Sequence, residues 1–379
     1  MDLGDSPPMS QRVTQIQSVS PSRATALLAC ALSEALRAGN AMPRIATHPK
    51  AHFGSIVHRL IHQSSKGRFG VLDLKAARSV WNEYLREYET KLSGNPVEAC
   101  VIPLARSCED FEVEAILAAK KIASVSRPPF QSPATDGTAS GHEVPLRSKD
   151  GLITGRADRM HWISAAPIIT DLKTGRLAEL GGQIREEYVV QIKLYAYLVH
   201  DSTGGWAERL ILQDLHGAEV TVDYSPEEVS KLADTIKSKL SEVNGETIKI
   251  LRGESSEEAL ATPSAKACRF CPFRIGCSGY WTQRPAIGEK GWPIDLEGRI
   301  TAIKPAGEKH LVLELETGDG LMIVRGSKNL LFNRKEEKAL EVNEPVRICE
   351  LKAERAPHTF SSKPNTGVLQ ADGAAANNG

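Results

Sequence analysis

Apolar residues recur at helical spacing through Ala51-His-Phe-Gly54-Ser-Ile-Val-His58-Arg-Leu-Ile-His62 and again through Tyr188-Val-Val-Gln191-Ile-Lys-Leu-Tyr195-Ala-Tyr-Leu-Val199. The same periodicity predicts helices over Asp73 to Leu92, Cys108 to Ala123 and Pro226 to Leu251, the last opened by Ser225 as N-cap with Pro226 in first position. Interleaved with them are strand patterns at Glu143 to Leu146, Leu152 to Ile163, Ala166 to Thr170, Ala207 to Leu215 and Glu219 to Tyr224. This mixture predicts an α/β domain, a mixed sheet flanked by helices. Beyond Trp292 only short strands follow, at Leu296 to Ile303, His310 to Leu315, Leu321 to Val324 and Pro345 to Leu351, with a turn at Thr317-Gly-Asp-Gly320. They predict a small closed β-barrel of the OB type, a fold that often takes single strands. Few aromatics and nearly balanced charge leave protein docking equally open for it. The expected organisation is a disordered segment 1–17, a domain over 18–285, a barrel over 292–360 and a disordered tail 361–379, with Arg127 to Gly141 a loop.

The strand ending in Asp171-Leu172-Lys173 carries the first chemical signal. Residues two apart on a strand share a face, so Asp171 and Lys173 project together while Leu172 turns into the core. A carboxylate can hold a divalent cation, and a neighbouring ammonium offsets charge developing on a phosphate. The preceding strand, Leu152-Ile-Thr-Gly-Arg-Ala-Asp158-Arg-Met, reads as its antiparallel neighbour through a turn at Ser164-Ala165, which brings Asp158 toward the same cation. A lone Asp-Leu-Lys triplet is common on surfaces, and two further elements give it weight. His58 lies on an apolar helix, and Gln191 and Tyr195 stand one turn apart on another, where an amide and a phenol can bond a phosphate, a water or the lysine.

Taken in order, GSIVH, GRADRM, DLKTG and QIKLY resemble the RecB-type branch of the PD-(D/E)XK nuclease superfamily, over roughly Ser20 to Gly279. That branch includes the nuclease domains of RecB and AddB and the CRISPR adaptation exonucleases. The resemblance implies a restriction-endonuclease-like core in which His58, Asp158, Asp171 and the Leu172 carbonyl hold Mg²⁺ or Mn²⁺ and Lys173 is catalytic. Gln191 and Tyr195 position DNA or support the site, and Glu143 sits where some relatives carry an accessory carboxylate. The expected activity is hydrolysis of DNA phosphodiesters, as an exonuclease on single-stranded ends. Imidazole in the ligand set leans toward Mn²⁺.

Cysteines supply a separate line. Cys268-Arg-Phe-Cys271-Pro-Phe-Arg-Ile-Gly-Cys277 has ligand spacing with no fourth partner nearby. Four thiolates fit either a 4Fe-4S cluster or tetrahedral zinc, and spacing does not separate the two. The resemblance favours the 4Fe-4S cluster and offers Cys30 as fourth ligand. There the chain departs from the family pattern, with Cys30-Ala31 where relatives have Cys-Pro, and Cys100 and Cys108 compete for the place. Cys349 and the unused cysteines read as small buried hydrophobes.

Charge and length narrow the class. Over 379 residues, 47 basic side chains balance 47 acidic ones, so there is no general attraction to nucleic acid. Locally, Leu36 to Leu72 has no Asp or Glu but carries Arg37, Arg44, Lys50, Arg59, Lys66 and Arg68 around His58, as a phosphate backbone needs. No long apolar span and no secretory leader are visible, and the odd, clustered cysteines suit a reducing compartment, so a cytoplasmic protein without membrane contact is expected. The absence of a GxxxxGK[ST] string removes ATP-driven unwinding from the chain itself. A helicase or ATPase partner is therefore expected, in a repair, CRISPR adaptation or phage-defence setting. The competing class is a catalytically inactive Fe-S scaffold subunit of a helicase-nuclease complex, against which every expected catalytic residue is present. A zinc-bound structural module is the third.

Overall fold

Helices α1 (Ala24–Ala29), α2 (Ala31–Ala38), α3 (Pro49–Ser65), α4 (Leu74–Ser93), α5 (Leu104–Ser107) and α6 (Phe111–Val125) precede the first strand. The computed structural model describes residues 13–126, 141–163, 166–179, 181–328, 332–333 and 338–370. Its chain forms two units that interleave in sequence. The first holds residues up to 41, 50–88 and 108–260, and the second 42–49, 89–107 and from 261 on.

In the first unit a five-stranded sheet runs in the order β1 (Gly141–Arg147), β2 (Thr154–Ile163), β3 (Ala166–Lys173), β4 (Arg209–Asp214), β5 (Glu219–Thr221). All neighbours are antiparallel except β3 and β4, which pair in parallel because α7 (Glu186–Thr203) crosses between them. Helix α7 buries Ile192, Leu194, Tyr195, Ala196, Leu198 and Val199 and ends at Gly204, whose φ of +80° suits a glycine. The last helix of the sheet region, α8 (Pro226–Leu251), starts and stops where its sequence signals said. The Ser225 hydroxyl accepts the Glu228 N–H at 3.1 Å, and Val229, Ala233, Ile236, Leu240 and Val243 make its buried stripe.

In the second unit α9 (Ala265–Cys268) and α10 (Ser278–Gln283) bracket the cysteine run. Then β6 (Leu296–Pro305), β7 (His310–Thr317) and β8 (Gly320–Ser327) follow, a small hairpin of β9 (Phe332–Asn333) with β10 (Lys338–Ala339), and β11 (Pro345–Ala353) and β12 (Thr359–Gln370). Five of these close a barrel in the order β11-β12-β8-β7-β6 around Leu296, Ile300, Leu313, Leu315, Val324 and Val346. The fold class expected from the sequence is thus the observed one, a mixed sheet flanked by helices together with a closed barrel.

Two details correct the expected organisation. Residues 361–370 are no tail, because β12 continues to Gln370 and pairs with β11 through Ile348↔Val368 and Val346↔Gln370. Ser361-Ser-Lys-Pro-Asn-Thr-Gly367 has no alternation to announce this strand, and its ladder supplies what the pattern lacks. Upstream, residues 13–17 are placed by packing rather than by repeating structure, with Val13 and Ile16 buried and the Ile16 N–H bonded to Asn244 Oδ1 at 2.7 Å. Residues 1–12, the expected loop over 127–140, the turn at Ser164-Ala165 and residues 371–379 lie outside the described residues.

Candidate metal centre and its lysine

The site grows from the register of β2 on β3. Arg159 pairs with Thr170 and Met160 with Ile169, so one step further the ladder sets Asp158 opposite Asp171 on the same face. Asp158 Oδ2 accepts the Leu172 N–H at 2.8 Å, which fixes its carboxylate at the strand end. From α3, His58 Nδ1 comes within 3.3 Å of Asp158 Oδ1. Gly54, one turn earlier, is what lets the helix come this close: a Cβ there would stand 2.8 Å from Thr174 Oγ1 at the end of β3.

Glu143 enters from β1 in an unusual way. Its backbone has φ of +54°, and the β1–β2 ladder passes from His142↔Arg159 to Val144↔Ala157, leaving Glu143 unpaired opposite Asp158. A left-handed non-glycine residue inside a strand is a re-aimed side chain. Its carboxylate joins the other two: ligand atoms of His58, Glu143 and Asp158 all lie within 4.8 Å of one another.

Asp171 stands beside this set rather than in it, buried to 1 % exposure and engaged by its own neighbours. Lys173 Nζ lies 2.5 Å from Asp171 Oδ2 and donates to Gln191 Oε1 at 2.6 Å, and Gln191 Nε2 donates to Asp171 Oδ1 at 3.0 Å. The ammonium–Oδ2 approach is a close, buried ion pair. Tyr188, one turn before Gln191, places its ring 4.5 Å under the same ammonium. The sequence reading passed over Tyr188, although its spacing of three from Gln191 on one helix face was the available signal. Tyr195 donates to the Arg156 carbonyl at 2.7 Å and so supports β2 next to Asp158.

Electrostatics divide the two aspartates. Burial pushes the Asp171 carboxyl up and the Asp158 charge adds to this, to about 6 despite Lys173. Asp158 is held below the ordinary carboxylate range, burial being outweighed by the charge and hydrogen bond of His58 and by the Leu172 N–H. His58 is in turn raised, burial being overcome by Asp158. Burial and Asp158 also raise Glu143. Three carboxylates crowded in this way repel, and an imidazole with hard oxygen donors is a set that a divalent cation relieves. The residues therefore fit a Mg²⁺- or Mn²⁺-class ion.

A mixed sheet with two facing aspartates and a lysine two residues beyond the second defines a hydrolase core that works on phosphate esters with a metal. The chain belongs to the PD-(D/E)XK nuclease superfamily, whose model matches residues 18–278, and members of that superfamily use divalent metals such as Mg²⁺ and Mn²⁺. No curated protein matches the chain. Among solved structures it is similar to one titled "Crystal structure of the tetrameric p202 HIN2", at 13% identity and a TM-score of 0.18 over 21% of this chain and 42% of that one.

The cysteine run is held by local geometry. Cys271 N–H bonds the Cys268 carbonyl at 3.1 Å, and Cys277 N–H the Arg274 carbonyl at 3.1 Å. Between the last two cysteines, Arg274 is buried and forks onto Asp295, Nε to Oδ2 at 2.7 Å and Nη2 to Oδ1 at 3.2 Å, with Nη2 also reaching Glu350 Oε1 at 2.7 Å. The loop is thereby tied to the barrel strand β11. Cys30 belongs to the first unit, in an extended break between α1 and α2, while Cys100 belongs to the second unit and Cys108 to the first. Cys349 and Cys108 are buried, as expected of small hydrophobes, and burial pushes the Cys108 thiol up to about 11. Among the described residues, no helix is long and apolar enough to cross a membrane.

Proposed function

We propose that this protein is a RecB-type DNA exonuclease acting on single-stranded ends, working beside a helicase or ATPase. The observation that carries the reading is the convergence of His58, Glu143 and Asp158 within 4.8 Å, flanked by the Asp171–Lys173–Gln191 ring. His58, Asp158 and Asp171, with the Leu172 carbonyl, form the proposed ligand set, and Glu143 joins it. A bound Mg²⁺ or Mn²⁺ ion supplies charge and Lewis acidity to the scissile phosphate and its attacking water.

The chain's own side chains do the rest. Gln191 orients the Lys173 ammonium by accepting a hydrogen bond from it, and the Tyr188 ring packs against the same ammonium. Lys173 then offsets the negative charge growing on the phosphate oxygens. Tyr195 holds β2, and with it Asp158, in register.

Cys268, Cys271 and Cys277, with Cys30 as fourth, are the proposed ligands of a structural 4Fe-4S cluster. Four thiolates fit either a cluster or zinc, and it is the family likeness that favours the cluster.

Purified protein with Mn²⁺, given end-labelled linear and circular single-stranded DNA, tests the activity. Progressive loss of the linear strand with the circle intact is expected, and equal cutting of both overturns the exonuclease reading. Loss of cleavage in Lys173→Ala with the folded state retained is the accompanying control.

A further inference from the structure

The barrel carries a cleft of roughly 600 Å³ that the nuclease centre does not use. It opens between the start of β7, the end of β8 and the 361–366 stretch of β12, where the β11–β12 ladder skips from Leu351↔Ser362 to Cys349↔Gly367. That skip carries residues 363–366 out of the ladder.

Donors dominate its wall. His310, Arg325, Ser327, Ser361, Ser362 and Lys363 line the cleft, and among its described lining residues there is no carboxylate and no Phe, Tyr or Trp. Arg325 and Lys363 keep 55 % and 40 % of their side chains exposed, and each spends one contact on an acid behind the wall, Glu354 at 3.0 Å and Glu350 at 3.1 Å. Glu350 shares the single Arg274 charge with Asp295 and takes Lys363 as its second partner. Lys363 is thus held at the cleft with part of its ammonium still open to solvent. Cations with hydroxyls and no competing acid are what phosphate oxygens select. With the His310 imidazole as the one aromatic ring among the described lining residues, stacking is slight, so the contact is mainly to the backbone and largely indifferent to sequence.

We propose that this barrel cleft binds the phosphate backbone of a single-stranded nucleic acid. The inference rests on the reading of the chain as a nuclease of single strands, and names a holding site on the barrel that is additional to the metal centre.

The test uses the full chain in EDTA, so that nothing is cut, with fluorescence anisotropy of a labelled oligothymidylate across a salt series. Arg325→Glu should weaken binding about tenfold and lower the salt slope by about one. Ser362→Glu should weaken it similarly. The Ser362 hydroxyl makes no hydrogen bond among the described residues, so this second variant keeps the test alive if the first unfolds. Arg325→Lys should bind within about threefold of the parent chain. With Mn²⁺ added, Arg325→Glu should raise KM for a long strand and leave kcat at saturation unchanged.

Unchanged affinity and salt slope in both carboxylate variants overturn the proposal and leave the cleft to a protein partner. Competition by thymidine monophosphate as effective as by the oligonucleotide overturns it in favour of a mononucleotide site. Absence of any cleavage by the parent chain, together with weakened strand binding in both variants, defeats the nuclease reading and supports the cleft.

Discussion

Gln191 accepts a hydrogen bond from Lys173 Nζ at 2.6 Å, and its other amide end holds Asp171 at 3.0 Å, so one side chain from α7 sets both polar members of the Asp-Leu-Lys string. Removing it should cost rate more than fold. Gln191→Ala is expected to lower kcat by about tenfold to a hundredfold with a small change in melting temperature. Gln191→Glu should keep the bond to Lys173 but oppose Asp171 with a second carboxylate. Steady-state kinetics of the two variants separate orientation from charge.

Metal affinity should follow the geometry of the set around Asp158. Glu143→Ala is expected to weaken Mn²⁺ binding about tenfold to a hundredfold by calorimetry. Asp158→Ala should bind still more weakly and also melt earlier, because the Leu172 N–H loses its acceptor at a cost of about 1 to 3 kcal/mol. Equal affinity of Glu143→Ala and the parent chain would remove Glu143 from the ligand set.

Acid should loosen the second unit through Asp295. Its carboxyl is held below the ordinary range, burial being outweighed by the Arg274 charge and hydrogen bonds and by the Glu350 N–H and Tyr280 hydroxyl. A depressed carboxyl contributes stability that is complete above its unfolded value, about 3.9, and is lost as pH falls through the lower folded one. Melting temperatures of the parent chain should therefore fall between about pH 4 and pH 2. Asp295→Ala leaves Arg274 buried with half its partners and should cost about 3 to 5 kcal/mol at neutral pH.

Gly155 marks a close approach beside the site. A Cβ there would stand 2.6 Å from Pro21 Cδ and 3.1 Å from Tyr195 Cε1. The proline ring has no freedom to turn away, so Gly155→Ala should destabilise by about 1 to 3 kcal/mol. The measurement is denaturant unfolding, and a neutral result would mean that the segment before α1 yields freely.

The strongly periodic elements were legible in the chain. Pattern and capping residues fixed α8 to the residue, and the alternation around Asp171 placed β3 and its antiparallel partner. Gln191 and Lys173 were legible as members of one site, since helix and strand periodicities set their faces. What the sequence withheld was non-local. Glu143 was offered by the family resemblance alone, and its place opposite Asp158 comes through a left-handed backbone that no local pattern announces. Strand β12 depends on ladders to β8 and β11, and its Ser-Ser-Lys-Pro stretch reads as coil in isolation. Asp171 was expected among the ligands and stays in the proposed set; its buried pairing with Lys173 and Gln191 is a tertiary arrangement that spacing does not encode.

The interleaving of the units reaches into how the chain is made. Segments 42–49 and 89–107 belong with residues from 261 onward, which leave the ribosome long after them. At ordinary elongation rates of about 5 to 20 residues per second, those early segments wait on the order of ten seconds or more for their companions. Nascent chains stalled near residue 260 should therefore hold a protected sheet region alongside protease-sensitive sites at 42–49 and 89–107.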